Sequence, residues 1–192
     1  MTDHIVDEAI ILAGGLGTRL RSVTETPKIL AKICDRPFIE YLLDHLIENG
    51  LRRIVFAVGY KHELIIKHFE NGYRGLDIDF AIEKESLGTG GAIVNALAKA
   101  KNQKVLILNG DVYCSFNASE LISDSDLLIT AIEVDDISRY GSLEIKGDNL
   151  ISFLEKGSNG RGYINAGIYF ADKKAFQDYP LGGKEGPGCN GQ

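Results

Sequence analysis

A glycine-rich turn with basic residues close by is the part of this sequence best suited to chemistry. Residues 9–28 read AIILAGGLGTRLRSVTETPK, a short apolar run followed by three glycines, an arginine and, after a further interval, a lysine. Glycines remove the side chains that would keep backbone N–H groups away from phosphate oxygens, and fixed positive charge attracts the same oxygens. The segment therefore predicts a binding site for a nucleoside triphosphate.

The glycine spacing fits neither of the two common phosphate-binding motifs. The sequence contains no G-x-x-x-x-G-K-[ST] run, and the dinucleotide fingerprint G-x-G-x-x-G would need a glycine where Leu20 stands. A tight turn between a strand and a helix, in which glycine serves only the backbone conformation, is the structural alternative. The charges around the turn decide between these interpretations.

Basic residues are concentrated just after the turn. Between Arg19 and Arg36 there are five basic and two acidic residues, in a chain whose net charge is −6. A positive island on an acidic protein suits a small polyanion, whereas a nucleic-acid surface would need an extended basic stripe. We therefore expect a nucleotide as a partner, and no nucleic acid.

The apolar pattern predicts strands that alternate with helices, and then a run of strands. Alternation of this kind indicates a mainly parallel sheet built from βαβ units, with ligands at the carboxyl ends of the strands. The segments 13–19, 87–91 and 109–111 follow predicted strands and should form the site. The predicted strands are 9–12, 54–58, 76–82, 105–108, 127–134, 142–145, 151–154 and 163–170; the predicted helices run from Pro37 to Gly50, over 63–69 and over 90–100.

Composition agrees with one α/β domain in the cytoplasm. The chain has 192 residues, 44% of them hydrophobic, which is enough to bury a sizeable core. The first residues, MTDHIVDEAII, lack the basic and long apolar regions of a secretory signal. Since no apolar stretch reaches the roughly 18 residues of a membrane span, we expect no membrane insertion. Three widely spaced cysteines without a C-x-x-C motif predict neither a disulfide framework nor a zinc site.

Several segments together resemble one enzyme family. LAGGLGTRL followed by TPK resembles the signature of the sugar-1-phosphate nucleotidyltransferases, or nucleotide-sugar pyrophosphorylases. In order and spacing, the segments over about residues 8–175 most resemble the members that join GTP to D-glycero-α-D-manno-heptose 1-phosphate. The further segments are VGYKHE at 58–63, EKESLGTGGA at 83–92, NGD at 109–111, RYG at 139–141, FLEKG at 153–157 and NAGIY at 165–169.

The resemblance implies both a fold and a reaction. The fold is α/β and Rossmann-like, a mainly parallel mixed sheet flanked by helices, called GT-A-like in this family. It implies one domain over 1–180, with a nucleotide-binding half at about 8–112 and a sugar-phosphate-binding half at about 113–176. The reaction is attack of a sugar 1-phosphate oxygen on the α-phosphorus of the triphosphate, with Mg²⁺ present and pyrophosphate leaving. Such chemistry requires positioning and charge neutralisation.

The resemblance assigns roles on the nucleotide side. Arg19 is expected to hold the β- and γ-phosphates, because a guanidinium can grip phosphate oxygens with two bonds. Lys28 is expected on the α-phosphate, and Asp111, at the end of a buried strand, on Mg²⁺. The expected nucleotide-binding residues are Leu12, Ala13, Gly14, Gly15, Gly17, Thr18, Glu83, Gly88, Thr89, Asn109 and Gly110.

The base and the sugar are assigned in the same way. Guanine presents two adjacent donors that a carboxylate can accept, and Glu83 or Glu85 could supply that carboxylate; Glu83 is preferred. The alternative is that both acids are solvated and the backbone of Ala13, Gly14 and Gly88 reads the base, so uracil or thymine stays open. Lys156 corresponds to the family lysine that binds the sugar phosphate. The remaining expected sugar-phosphate residues are Gly141, Glu155 and Asn165.

One departure from the family concerns the end of the chain. Relatives carry a D-x-G-T/I-P-E-D motif with a second metal-binding aspartate, and residues 181–192 do not match it. We expect this glycine-rich stretch to be a disordered, truncated or frameshifted tail, which would leave Asp111 alone on the metal and reduce turnover. A catalytically weak nucleotide-binding module is therefore the alternative from a different class.

The expected product is GDP-heptose for the synthesis of bacterial surface glycans such as lipopolysaccharide, capsule or S-layer glycan. Mannose 1-phosphate with GTP, or a hexose or N-acetylmuramate phosphate with UTP or dTTP, are the alternatives within the class. Relatives commonly associate, so a homo-oligomer is left open.

Overall fold

The computed structural model describes residues 6–14, 26–121 and 124–179, and within these ranges ten strands and three α-helices form. In chain order the elements are β1 Glu8–Leu12, a 3-10 turn Lys28–Leu30, β2 Lys32–Ile33, β3 Arg36–Pro37, α1 Phe38–Glu48, β4 Arg53–Val58, α2 His62–His68, β5 Asp77–Ile82, α3 Gly88–Leu97, β6 Lys104–Asn109, a 3-10 turn Ala118–Leu121, β7 Leu127–Val134, β8 Ser142–Lys146, β9 Asn149–Leu154, β10 Gly162–Asp172 and a 3-10 turn Lys173–Phe176.

Eight of these strands form one mixed sheet. The strands β5, β4, β1 and β6 lie side by side and run parallel, because each parallel neighbour is reached by a crossover over a face of the sheet. The long strand β10 pairs antiparallel with β6, carries β7 on one edge and β8 on the other, and β9 closes the sheet beyond β8. The predicted mixed sheet flanked by helices is confirmed.

Helices cover both faces of the parallel half. Successive residues of a strand point to opposite faces, so in β4 Phe56 joins the core under α1 while Val55 joins the core under α3. The apolar stripe of α1 includes Leu42 and Leu46, and that of α3 includes the small Ala96, which lets the helix approach the sheet closely. Across the described ranges, no helix combines the length and apolar character needed to cross a membrane.

The predicted strands are confirmed to within two residues at each end, and the boundaries of two helices are corrected. Pro37 lies just before α1 and not in its first turn, with φ −54° and ψ 136°, because it pairs with Lys32 in the short β2–β3 hairpin. The third helix starts at Gly88 instead of Gly90 and ends at Leu97, three residues earlier than predicted. The sequence pattern did not predict the hairpin.

A buried carboxylate links the amino-terminal ends of three strands, at the end of the sheet opposite to the carboxyl ends of these strands. Glu8 is fully buried. It accepts hydrogen bonds from Arg53 Nε at 2.9 Å, from Lys101 N at 2.9 Å and from Asn102 N at 2.7 Å. Arg53 in turn donates to Asp77 at 2.6 Å. This cluster connects β1, β4, β5 and the loop that leads into β6.

We expect Glu8→Ala to destabilise the fold by about 3–5 kcal/mol, because it would remove the buried acceptor of the Arg53 Nε–H and leave two backbone N–H groups without a partner. Asp77→Ala removes a half-exposed partner of the same Arg53 and should cost less than about 1 kcal/mol. Urea unfolding followed by circular dichroism measures both. Equal losses for the two variants would show that Glu8 does not have this special role.

Candidate active site

Three chain segments leave the carboxyl ends of β1, β5 and β6 at one edge of the sheet. Backbone hydrogen bonds continue the ladders beyond the strands: Ala13 N donates to Ala57 O at 2.8 Å, Glu83 N to Val58 O at 2.8 Å and Gly110 N to Leu12 O at 2.9 Å. The described residues predicted for the nucleotide follow these exits. They are Leu12, Ala13 and Gly14 after β1, Glu83 after β5, Gly88 and Thr89 in the first turn of α3, and Asn109, Gly110 and Asp111 after β6.

Four predicted residues of the glycine-rich turn lie outside the described residues. They are Gly15, Gly17, Thr18 and Arg19. Their assignment to the triphosphate stays a prediction from the sequence.

A close approach of two strand exits holds Asp111 in its place. A Cβ atom on Gly110 would lie 2.7 Å from the carbonyl oxygen of Leu12 and 3.1 Å from Cγ2 of Ile29, so only glycine fits between them. Ile29 is buried and packs on this glycine, which brings the neighbouring Lys28 beside Asp111. The ammonium of Lys28 donates a hydrogen bond to Oδ2 of Asp111, and both side chains remain about half exposed.

The Asp111 carboxylate fits a magnesium ion that is shared with a substrate. Magnesium usually binds to one or two carboxylates plus substrate phosphates and keeps several waters. The described part of the chain holds no cluster of three or more metal-binding His, Cys, Asp or Glu side chains, so a ready-made protein cage is absent there. Asp111 is partly exposed at the strand exit, where a magnesium ion bound to a substrate phosphate can reach it.

Asp172, an aspartate at the end of β10, lies too far from Asp111 to bind the same metal ion. It pairs with Lys104 at the start of β6, whereas Asp111 follows the end of that strand, about 17 Å or more away. Its carboxylate accepts hydrogen bonds from Gln103 at 2.6 Å and from Lys174 N at 3.0 Å. Asp172 therefore caps the turn after β10.

An open cleft of about 560 Å³ lies beside the exits of β1, β4 and β5. At its floor, the backbone segments of Gly14 and Gly59 pass close to each other. A Cβ atom on Gly14 would lie 2.9 Å from Oε1 of Glu83, and one on Gly59 would lie 3.2 Å from the carbonyl oxygen of Gly14. A flat group can therefore lie on the backbone at this place. The lining residues are Gly14, Gly59, Tyr60, Lys61, His62, Glu63, Ile82, Glu83, Lys84, Glu85 and Ser86.

Glu83 reaches into this cleft and is partly withdrawn from solvent. Burial raises the pKa of its carboxyl group, and the hydrogen bond that Oε2 accepts from Leu87 N at 3.2 Å acts in the opposite direction. The alternative acid, Glu85, lines the same cleft but is exposed. Both residues therefore remain candidates, and the partly buried one is better placed to accept hydrogen bonds from a planar ligand.

Sequence reasoning missed the residues that the β4 exit contributes. Tyr60, Lys61 and His62 line the cleft, and the Lys61 ammonium lies 5.5 Å from the centroid of the Tyr60 ring. The sequence segment VGYKHE contributed to the family resemblance but received no role. The strand-exit rule that identified Asp111 also applies to these residues, because they follow a buried parallel strand.

Three of the four residues predicted for the sugar and its phosphate, all except Lys156, lie in one row across the antiparallel half of the sheet. Asn165 pairs with Ala131 of β7. One residue away, Ser142 pairs with Ile164 of β10 and with Leu154 of β9. When the β8–β10 and β8–β9 pairings are both extended by one residue, Gly141 lies between its two partners, with Asn165 on one side and Glu155 on the other. We call this set the first row: Ala131, Asn165, Gly141 and Glu155.

The first row adjoins the nucleotide side through β6. Asn165 donates to the hydroxyl of Tyr169 at 2.7 Å and accepts from Gly167 N at 2.8 Å, which stabilises the bulge in the middle of β10. The β6–β10 register brings Gly167 next to Asn109, whose side chain would lie 2.7 Å from a Cβ on that glycine. Lys156 follows the first row in an exposed turn that bridges to Ser158.

Among the described residues of the predicted positive island, Arg36 has its charge paired within the fold. Arg36 donates to Glu40 at 2.9 Å and to Asp44 at 2.5 Å on the neighbouring helix α1, and these carboxylates raise the pKa of its guanidinium further above its usual value. The charge of Arg36 is thus neutralised by α1. Among the described basic residues of that stretch, Lys28 forms the ion pair with Asp111.

Comparison with known proteins identifies the same family as the sequence motifs. Residues 8–185 match the nucleotidyl transferase family. The chain is 41% identical over 177 residues to D-glycero-alpha-D-manno-heptose 1-phosphate guanylyltransferase of Campylobacter jejuni, covering 91% of this chain and 80% of that protein. It is 40% identical over 176 residues to the protein of the same name from Aneurinibacillus thermoaerophilus, covering 88% and 76%.

A solved structure agrees with these relatives. HddC from Yersinia pseudotuberculosis, complexed with GMP-PN, superposes with a TM-score of 0.84 at 43% identity, over 92% of this chain and 81% of that one. The chain therefore belongs to the nucleotidyl transferase family, and both the family and the Rossmann-like fold predicted from its motifs are confirmed.

We expect Glu83→Gln to stabilise the fold at neutral pH. Because burial raises the pKa of Glu83, the folded state binds its proton more tightly than the unfolded state, so the carboxyl group favours folding at low pH and this contribution is lost as pH rises through the folded-state pKa. The amide keeps an acceptor for Leu87 N. Calorimetry should find a higher melting temperature for the variant at about pH 7.5 and no difference near about pH 4. A variant that melts lower throughout would contradict this.

Proposed function

We propose that this protein transfers a guanylyl group from GTP to D-glycero-α-D-manno-heptose 1-phosphate. A phosphate oxygen of the sugar attacks the α-phosphorus, the bond to the bridging oxygen breaks, and pyrophosphate and GDP-heptose result. The observation that carries this proposal is the Lys28–Asp111 ion pair at the end of β6. In the sheet, β6 lies between β1, which borders the cleft, and β10, which carries Asn165 of the first row. The names of the relatives supply the substrates, and heptose products of this kind would feed surface-glycan synthesis.

In this proposal Lys28 and Asp111 exchange partners when substrates bind. The ammonium would move to the α-phosphate, where it neutralises charge on the group under attack. The carboxylate, released from the lysine, would hold Mg²⁺. When bound, this ion neutralises phosphate charge and orients the leaving pyrophosphate. No covalent intermediate on the protein is needed, since positioning brings both reactants together.

The cleft is the proposed site of the base. Guanine presents an acceptor, O6, beside two donors, N1–H and the N2 amino group. Glu83 would accept from the two donors, and Lys61, which lines the same cleft, would donate to the acceptor. Adenine presents the opposite order on its edge, so the same acid and cation would reject it. The backbone of Ala13, Gly14 and Gly88 supports the base in this arrangement.

The sugar phosphate is assigned to the antiparallel half. Lys156 would bind its phosphate, and Glu155, Gly141 and Asn165 of the first row would meet the sugar ring. The chain then has a nucleotide half at about 8–112 and a sugar half at about 113–176 within one domain over 1–180. Arg19 would hold the β- and γ-phosphates. Because GTP is a metabolite of the cytoplasm, that is the compartment we propose.

Pyrophosphate release tests this function directly. We expect turnover with Mg²⁺ confined to GTP among five nucleotides (GTP, UTP, dTTP, CTP and ATP) and greatest with heptose 1-phosphate among heptose, mannose and glucose 1-phosphates. Asp111→Asn should reduce kcat at least about a hundredfold, as expected for loss of the metal-binding charge. Asp148→Asn, an exposed acid in the β8–β9 turn, is the matched control and should be silent.

Two outcomes would overturn the assignment. Turnover that prefers mannose 1-phosphate or a uridine or thymidine nucleotide would place the enzyme elsewhere in its family. Absence of turnover with every pair, while GTP still raises the melting temperature, would establish a nucleotide-binding module.

We further expect Glu83→Gln to lower kcat/KM for GTP about tenfold or more, because the amide can accept only one of the two guanine donors without opposing the other. Glu85→Gln serves as the matched control and should change it less than about twofold. Steady-state kinetics with GTP and with ITP, which lacks the N2 amino group, measures the effect. The reverse pattern would identify Glu85 as the base-reading acid.

A further inference from the structure

A second row of side chains lies next to the first row on the same face of the sheet. Tyr163 pairs with Glu133 on one side and with Leu143 on the other, and Leu143 pairs with Phe153. Each of these residues is two positions along its strand from a member of the first row. Residues two apart point to the same face, and the two rows are about 7 Å apart. We call this set the second row.

Two aromatic side chains give the second row an exposed apolar surface. Phe153 is 62% exposed and Tyr163 is 41% exposed, whereas Leu143 between them is buried at 6%. The two rings therefore flank a covered leucine, at the point where β9 ends the sheet. Large aromatic rings exposed in this way, next to a polar row, are typical of a place where a ligand binds.

The end of the second row on β7 carries an ion pair. Arg161 donates to both carboxylate oxygens of Glu133, each at 2.8 Å, and this arginine lowers the pKa of the Glu133 carboxyl group. The apolar part of the row is thus bounded by an ion pair at β7 and is open at β9.

We propose that Phe153 and Tyr163 form a second part of the sugar subsite and contact the exocyclic carbons of the heptose. This inference rests on the proposed function, because it assumes that the first row binds the sugar ring. A ring at the first row leaves its exocyclic arm within reach of the second row, about 7 Å away. Aromatic faces pack against C–H groups, and the Tyr163 hydroxyl can bind a sugar hydroxyl at the same time.

The proposal gives these residues a role in sugar choice. A heptose carries one more exocyclic carbon than mannose, and the phosphate and ring of the two sugars would meet the same first row and Lys156. A contact beyond the ring is therefore where the two can be distinguished. One additional carbon in an apolar contact is worth roughly tenfold in kcat/KM.

The test compares heptose and mannose 1-phosphates in three variants. Phe153→Ala should lower the ratio of their kcat/KM values about tenfold, and Tyr163→Phe should lower it less, with KM for GTP unchanged in both. Leu154→Ala is the matched control, because Leu154 is an exposed apolar residue (41%) next to Phe153 on the same strand but points to the opposite face. Its ratio should equal that of the wild type. Calorimetric titration of heptose 1-phosphate gives a second measurement, which does not depend on turnover.

Each other outcome overturns the inference in a recognisable way. Equal losses on both sugars, or the same loss in Leu154→Ala, would exclude a role in sugar choice. If light scattering shows a dimer that Phe153→Ala alone dissociates, while the sugar ratio is unchanged, the second row is an interface between copies of the chain. A wild-type protein without preference for the heptose overturns this inference and the proposed function together, whereas a preference that survives in Phe153→Ala overturns this inference alone.

Discussion

The register between β6 and β10 is the constraint on which the candidate site depends. Ile168 pairs with Leu108, and this single alignment brings the end of a parallel strand, with Asp111 just beyond it, against the middle of an antiparallel one. A slip of one residue would turn Asn165 to the other face. The fully buried side chains of Phe170 and Leu106, which also pair across these strands, oppose such a slip. The nucleotide side and the first row therefore meet because of hydrophobic packing well away from either.

The charges that a ligand meets at the site depend on which ionic side chains are already paired within the fold. Arg36 is held by two carboxylates of its neighbouring helix, so its charge serves the fold. Lys28 and Asp111 are paired with each other at about half exposure, where an ion pair contributes little to stability. A weak pair of this kind can separate when a phosphate and its metal ion arrive, because each member then gains a stronger partner. The same two residues would cost much more to separate in the interior.

The sequence predicted the strands and the residues at their exits, because buried parallel strands have a clear apolar pattern and ligands collect where such strands end. It also identified Gly141, Glu155 and Asn165 as a group through the family resemblance. It did not indicate that these three lie in one cross-strand row, since register depends on contacts far apart in the chain. The place of Pro37 was predicted wrongly for a similar reason: local preference favours proline in a first helical turn, but pairing with Lys32 gives it an extended conformation.

In the proposed site, the two rows would have different parts in binding a charged sugar. The phosphate is the same in every sugar 1-phosphate, so a lysine in the role proposed for Lys156 would contribute affinity without distinguishing one sugar from another. Closely related sugars carry nearly the same hydroxyl groups on the ring, and hydrogen bonds between the protein and these groups are readily replaced by hydrogen bonds to water. Discrimination between sugars that differ by one carbon must therefore come from a contact with that carbon, where removal of apolar surface from water is the available driving force. The second row offers the described sheet's exposed aromatic surface at the distance from the first row that such a carbon would span.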